Sequence, residues 1–168
     1  DARVYVSCVI ACPYEGPIAP AQVRGVCDRL RVLGDDSAWE SGQLELDLGD
    51  TIGAGNDASM RALLKEFDEG ECERMTLHLH DTFGKASECV RAGLAMGVRS
   101  FDGSVAGLGG CPYAGTKEKP APGNVSTETV IETAEAEGFE TAVDLEKLRE
   151  AAALAREIVG RSRAGAAS

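Results

Sequence analysis

A chain of 168 residues, 43% hydrophobic and 27% charged, is long enough to bury one real core, so a single globular domain is expected. Its net charge of −11 repels nucleic acid and anionic membrane surfaces and argues against both as partners, while a small anionic substrate held by a local field stays open. Six cysteines, at 8, 12, 27, 72, 89 and 111, fall into no paired short spacings and read as thiols of a reducing compartment; no signal peptide, transit segment or apolar run of membrane-spanning length appears.

Arg3 to Ile10 reads as a buried strand, followed by a loop full of breakers, Ala11-Cys12-Pro13-Tyr14-Glu15-Gly16-Pro17. From about Pro20, Val23, Val26, Cys27, Leu30 and Leu33 recur at helical spacing, and Gly34 suits the helix end. Asp35 to Gly42 is a polar surface loop with the only Trp. Gln43 to Asp50 is the second strand, with Leu44, Leu46 and Leu48 on one face and Glu45 and Asp47 on the other. Those carboxylates face either solvent or the polar lumen of a barrel. Asn56 or Asp57 caps a helix whose Met60, Leu63, Leu64 and Phe67 form a core stripe.

Met75 to His80 is the third strand, and its alternation sets both histidines of the chain, His78 and His80, on one face. Asp81-Thr82-Phe83-Gly84 turns the chain into a helix from about Lys85 to Met96, which packs with Ala86, Cys89, Val90 and Leu94 and stops at Gly97. A fourth strand, Val98 to Val105, leads into Ala106-Gly107-Leu108-Gly109-Gly110-Cys111-Pro112, where three glycines in four positions allow a close backbone approach to a ligand. Two helices follow, Ser126 to Glu137 and Asp144 to about Gly160, and residues 161–168 read as a frayed tail. Four strand-helix units in succession make an α/β fold with a parallel sheet.

Such folds place chemistry where strands run out into loops. His78 and His80 stand at such an end, as a metal-binding pair, a surface pair or hydrogen-bonded core histidines. Cys111 follows the glycine run at the same end of the sheet, as an acid/base thiol or an inert one. Asn124 offers a neutral oxygen ligand or a helix cap.

The stretch Ser104-Val105-Ala106-Gly107-Leu108-Gly109-Gly110-Cys111-Pro112-Tyr113-Ala114 resembles the cysteine-loop signature of the 3-hydroxy-3-methylglutaryl-CoA lyase family, metal-dependent lyases on a TIM barrel. Three further blocks agree in order: Tyr5-Val6-Ser7-Cys8 with Cys12-Pro13-Tyr14-Glu15-Gly16, Leu48-Gly49-Asp50-Thr51-Ile52-Gly53, and His78-Leu79-His80-Asp81-Thr82-Phe83-Gly84. The likeness spans about Val4 to Leu154.

The resemblance implies that residues 1–160 are a partial lyase domain, the second half (about strands 5–8) of a (β/α)8 barrel. It implies that His78 and His80 bind a divalent cation, Mg2+ or Mn2+, with Asn124 as a further ligand through its side-chain oxygen. Imidazole ligands favour manganese on softness. It makes Cys111 and His78 the catalytic residues, Cys111 on the loop that closes over the acyl-CoA and takes part in proton transfer. The reaction implied is retro-Claisen cleavage of 3-hydroxy-3-methylglutaryl-CoA to acetyl-CoA and acetoacetate, a step of leucine degradation and ketone body formation, in the mitochondrial matrix or bacterial cytoplasm. Two other readings stay open: a related lyase acting on another hydroxyacyl-CoA, or an inactive half-barrel serving as an assembly module. The implied partners are an acyl-CoA and either further copies of this chain or a complementing amino-terminal half.

The departures matter too. The family's first-strand D-G-L-Q-type motif, with its Arg and metal-binding Asp, has no counterpart here, so the chain is expected to begin at the fifth strand, with an upstream part missing, and to be a poor catalyst alone. Asp47 stands where the family has a small hydroxyl residue, and Gly103 in a similarly serine-rich place. The loop Gly115 to Gly123 is longer than the family pattern, and Asp35 to Gly42 is inserted.

Overall fold

The computed structural model describes residues 2–36, 44–109 and 123–165, with side chains described for 2–32, 44–109 and 123–160. The stretches 37–43 and 110–122, with the inserted Trp loop and Cys111, lie outside the described residues.

Four strands, β1 (Ala2–Val6), β4 (Leu44–Asp50), β5 (Met75–Leu79) and β6 (Ser100–Asp102), form one parallel sheet in the order β1-β4-β5-β6. Between β1 and the first helix, β2 (Ala11–Cys12) and β3 (Gly16–Pro17) pair as a small antiparallel hairpin, where the breakers had predicted only a loop. β1 stops at Val6, short of the predicted Ile10, because Cys8 takes a left-handed φ of 61° that no strand continues through. Its N–H donates instead to the Thr51 hydroxyl at 2.8 Å. β6 is likewise shorter than predicted, and Ser104 beyond it bridges in parallel to Ser126.

At least one helix lies between successive strands of the parallel sheet. Helix α1 (Pro20–Asp36) runs two residues past the predicted stop at Gly34. Helix α2 (Asp57–Leu64) starts at Asn56, whose side chain accepts from the Ser59 N–H while the Ser59 hydroxyl accepts from the Asn56 N–H, a reciprocal cap. Asp68 and Glu71 cap α3 (Glu69–Glu73) in the same way, a D-x-x-E signal that the apolar stripe of the preceding helix had obscured. Helix α4 (Ala86–Ala95) begins where the Asp81 carboxylate accepts from the Ala86 N–H at 2.9 Å. Helix α5 (Thr127–Ala136) is capped by Ser126, and α6 (Leu145–Gly165) extends beyond the predicted Gly160.

The core lies on one side of the sheet only. Val6, Leu46, Leu48, Met75, Leu77 and Leu79 pack there against Val23 and Cys27 of α1, Met60, Leu63 and Leu64 of α2, and Cys89, Val90 and Leu94 of α4. Cys27 and Cys89 are the buried small hydrophobes their helical spacing predicts, and burial pushes the Cys89 thiol up to about 12. At Gly93 a Cβ would stand 2.8 Å from Leu77 Cδ1, so α4 needs a glycine to lie this close to β5. The strands' other residues form a second, polar face.

Candidate metal centre

Alternation along β5 sends Leu77 and Leu79 into the core and His78 to the polar face, with His80 just past the strand on the same side. The two imidazole rings lie edge to face, centroids 5.2 Å apart. His80 is buried, and its Nδ1 is 3.0 Å from the Asp50 carbonyl oxygen. A carbonyl only accepts, so Nδ1 carries the hydrogen and Nε2 keeps its lone pair for a ligand.

Asp50 earns its place in the loop that holds His80. Its buried carboxylate accepts from the N–H groups of Gly55 (2.8 Å) and Ala54 (3.1 Å). Burial pushes this carboxyl up, against the pull of those donors. Two glycines are required here. A Cβ at Gly55 would sit 2.7 Å from Asp50 Oδ2, and one at Gly53, whose φ is +66°, 2.8 Å from the His80 carbonyl.

Asn124 lies directly opposite His80 in an antiparallel bridge, which sets the two side chains on the same side. The Val125 N–H donates to the Leu79 carbonyl at 2.8 Å and the Asp81 N–H to that of Gly123 at 3.3 Å, fixing this return of the chain. The Asn124 amide donates through Nδ2 to the Leu108 carbonyl at 3.2 Å, which leaves Oδ1 as its acceptor end. Gly107 (φ +64°) and Gly109 (φ +94°) wrap the glycine run around Asn124, and a Cβ at Gly109 would come within 2.9 Å of Nδ2. Cys111, two residues further, lies outside the described residues.

Beneath the histidines an ionic network crosses the sheet. The Arg3 guanidinium reaches Glu45 at 2.9 Å, Asp102 Oδ1 at 3.1 Å and Asp47 Oδ2 at 3.8 Å. The Tyr5 hydroxyl donates to Asp102 Oδ2 at 3.4 Å, and the same oxygen is 3.5 Å from His78 Nδ1. The hydrogen-bonded carboxylates, Glu45 foremost, hold Arg3 more firmly protonated than usual. Asp47 is fully buried and neither of its oxygens makes a hydrogen bond. Burial, joined by the neighbouring Asp102 carboxyl, pushes Asp47 up to about 7.

Two imidazoles and a carboxamide oxygen on one side would make a three-point neutral donor set, suited to a borderline divalent cation with further oxygen ligands. Among the described residues no group of three or more His, Cys, Asp and Glu side chains is close enough to hold a metal, and the amide that lies beside the histidines is Asn124. The structure thus brings together His78, His80 and Asn124. Sequence reasoning missed Asp50, Asp102, Arg3 and Tyr5. Asp50 was visible as the end of a strand and within a family-like block but was given no role, and the other three become neighbours only through the register of the sheet.

A model of the HMGL-like family matches residues 2–155 of the chain. A cytoplasmic 3-hydroxy-3-methylglutaryl-CoA lyase of Danio rerio is 45% identical over 150 residues, which cover 89% of this chain and 41% of that protein. The crystal structure of hydroxymethylglutaryl-CoA lyase from Pseudomonas aeruginosa superposes with a TM-score of 0.78 at 39% identity, over 94% of this chain and 49% of that one. An HMG-CoA lyase from Acinetobacter baumannii, in complex with coenzyme A and 3-methylmalate, superposes with a TM-score of 0.76 at 28% identity, over 94% of this chain and 48% of that one. The chain spans less than half the length of each of these relatives.

Proposed function

The chain belongs to the HMGL-like family, and from that membership we propose that it forms the carboxyl-terminal half, strands 5–8, of a barrel that cleaves 3-hydroxy-3-methylglutaryl-CoA to acetyl-CoA and acetoacetate. The observation that carries this reading is the matched pose of His80 and Asn124: each spends its inner polar atom on a backbone carbonyl, at 3.0 and 3.2 Å, and keeps a donor atom for the same side as His78. Histidine ligands of metals are oriented in this manner.

In this reading His78, His80 and Asn124 hold a divalent cation, Mg2+ or Mn2+, which when bound polarises the hydroxyl and carbonyl oxygens of the substrate. Cleavage passes the proton of the tertiary hydroxyl to a base, breaks the bond between the hydroxyl-bearing carbon and the CH2 next to the thioester, and leaves its electron pair on that CH2. Protonation there yields acetyl-CoA. Cys111, two residues beyond the glycine that packs on Asn124, is the proton donor for that carbon. The missing carboxylate ligand and arginine come from four further strands, supplied by a longer chain or a separate subunit.

The test is a product assay on the complete barrel, native or complemented, with a chromatographic screen over several acyl-CoA thioesters. Equal amounts of acetyl-CoA and acetoacetate are expected, abolished by chelation and by His80→Ala. Cleavage of a different hydroxyacyl-CoA would change the substrate only. No metal-dependent cleavage of any thioester would leave the inactive assembly module as the better reading.

A further inference from the structure

We propose that Asp102 is the positioning residue of His78, holding its imidazole in the Nδ1–H tautomer so that Nε2 is presented on the same side as that of His80. The inference rests on the metal-site reading only for what Nε2 is used for; the tautomer follows from this chain's own geometry.

The parallel register of β5 and β6 pairs His78 with Asp102 directly, so the two side chains share the polar face. Asp102 is the one carboxylate within 4 Å of His78 among the described residues, at 3.5 Å from Nδ1. That nitrogen is sealed from water and makes no hydrogen bond as the ring stands, so no solvent molecule can take over the role. A lone pair on Nδ1 would face a carboxylate oxygen across this gap, whereas an N–H is attracted to it.

Asp102 is itself held. Arg3 takes Oδ1 at 3.1 Å, and the Tyr5 hydroxyl reaches Oδ2 at 3.4 Å while the edge of its ring lies 6.1 Å, centroid to centroid, from His78. Glu45 and Asp47 are the other charged groups on this face, and both pair with Arg3, not with His78. The two histidines are therefore oriented by unlike acceptors: a backbone carbonyl for His80 and a clamped carboxylate for His78. Only the second can be removed by mutation.

The experiment is long-range proton–nitrogen correlation of both imidazoles in the metal-free, nitrogen-15-labelled chain, at a pH where both rings are neutral. In the native chain both histidines are expected to show a protonated Nδ1. Asp102→Ala should turn His78 to Nε2–H and leave His80 unchanged, and so should Asp102→Asn, because Arg3 holds the amide oxygen in the place of Oδ1 and turns the amide N–H toward Nδ1, which must then accept. Manganese affinity should fall about 10- to 100-fold in both variants. A native His78 protonated on Nε2, or an Asp102→Ala spectrum identical to the native one, overturns the proposal. Should Asp102→Ala also lose the His80 pattern, the fold has been disturbed and the native and Asp102→Asn spectra decide. Absence of manganese binding with the native tautomers intact counts against the metal site and leaves the positioning role standing.

Discussion

Alternate residues of the same four strands make two faces governed by different physics. On one, Leu46, Leu48, Met75, Leu77 and Leu79 are almost completely buried under α1, α2 and α4. On the other, Arg3, Tyr5, Glu45, Asp47, Thr76, His78, Ser100 and Asp102 form a network of ions and hydroxyls, part of it exposed and part sealed. The apolar face is complete in itself. The polar face leaves a buried carboxyl, Asp47, and a buried ring nitrogen, His78 Nδ1, without hydrogen bonds, so its chemistry is arranged for something that the sheet alone does not provide. The apolar face holds the core and the polar face the candidate site.

If that division holds, the largest stability loss comes from the apolar side. Leu77 is fully buried between α4 and the neighbouring strands, and Leu77→Ala is expected to cost about 2–5 kcal/mol in denaturant unfolding, with no dependence on pH. A loss under about 1 kcal/mol would mean that the core is loosely packed and the contrast false.

Asp47 should behave in the opposite sense. Its folded value of about 7 lies above the ordinary 3.8, so the folded chain holds this proton more tightly than the unfolded one. The resulting stability is fully present below the ordinary value and is lost as pH rises through the folded one. Between about pH 4 and pH 8 the native chain should therefore lose roughly 2–4 kcal/mol through this group, and Asp47→Asn should remove that slope and be the more stable protein at pH 8. Unfolding midpoints measured across the range decide it; parallel curves for the two proteins would show that Asp47 does not hold the proton.

The contrast between the faces also sets what could be read from sequence. The apolar side was legible because its signal is periodic: the Leu alternation of β4, the stripe of α2 and the spacing of Cys27 and Cys89 all survive folding unchanged. His78 and His80 were legible for the same reason, being two residues apart. Asp50 was not, since its role is played by a carbonyl oxygen and by two N–H groups that no side-chain pattern encodes. Nor was the pairing of His78 with Asp102 or of Arg3 with Asp102, 24 and 99 residues apart, which exists only once the strands are in register. The over-long first strand has a local cause: Val and Ile continue past Val6, but Cys8 turns left-handed to reach Thr51. Periodic side-chain patterns were displayed by the sequence, whereas bonds to the backbone and pairings across the sheet were not.

Smaller effects sharpen the comparison within the polar face. The Thr76 hydroxyl, fully buried, donates to Glu45 and lies 2.7 Å from the Ser100 hydroxyl. Thr76→Val keeps the shape and removes both bonds, with an expected loss of about 1–2 kcal/mol, less than that of Leu77→Ala although both residues are equally buried. A loss as large as that of the leucine substitution would make the polar network a second core.

Arg3→Gln should have the least effect on stability, because the guanidinium is more than a third exposed and is shared among three carboxylates. Its consequence is electrical. Arg3 is the one influence that draws the Asp47 carboxyl downward, against burial, Asp102 and Glu45, and it remains charged throughout the accessible pH range. Removing it should therefore move the Asp47 titration upward from about 7, which carbon-13 shifts of the carboxyl carbon can follow residue by residue. Salt should imitate the mutation only in part, since ions reach the exposed guanidinium but not the sealed carboxyl. An unchanged or lower Asp47 titration in Arg3→Gln would mean that the 3.8 Å contact carries no electrostatic weight and that burial alone sets the charge of this face.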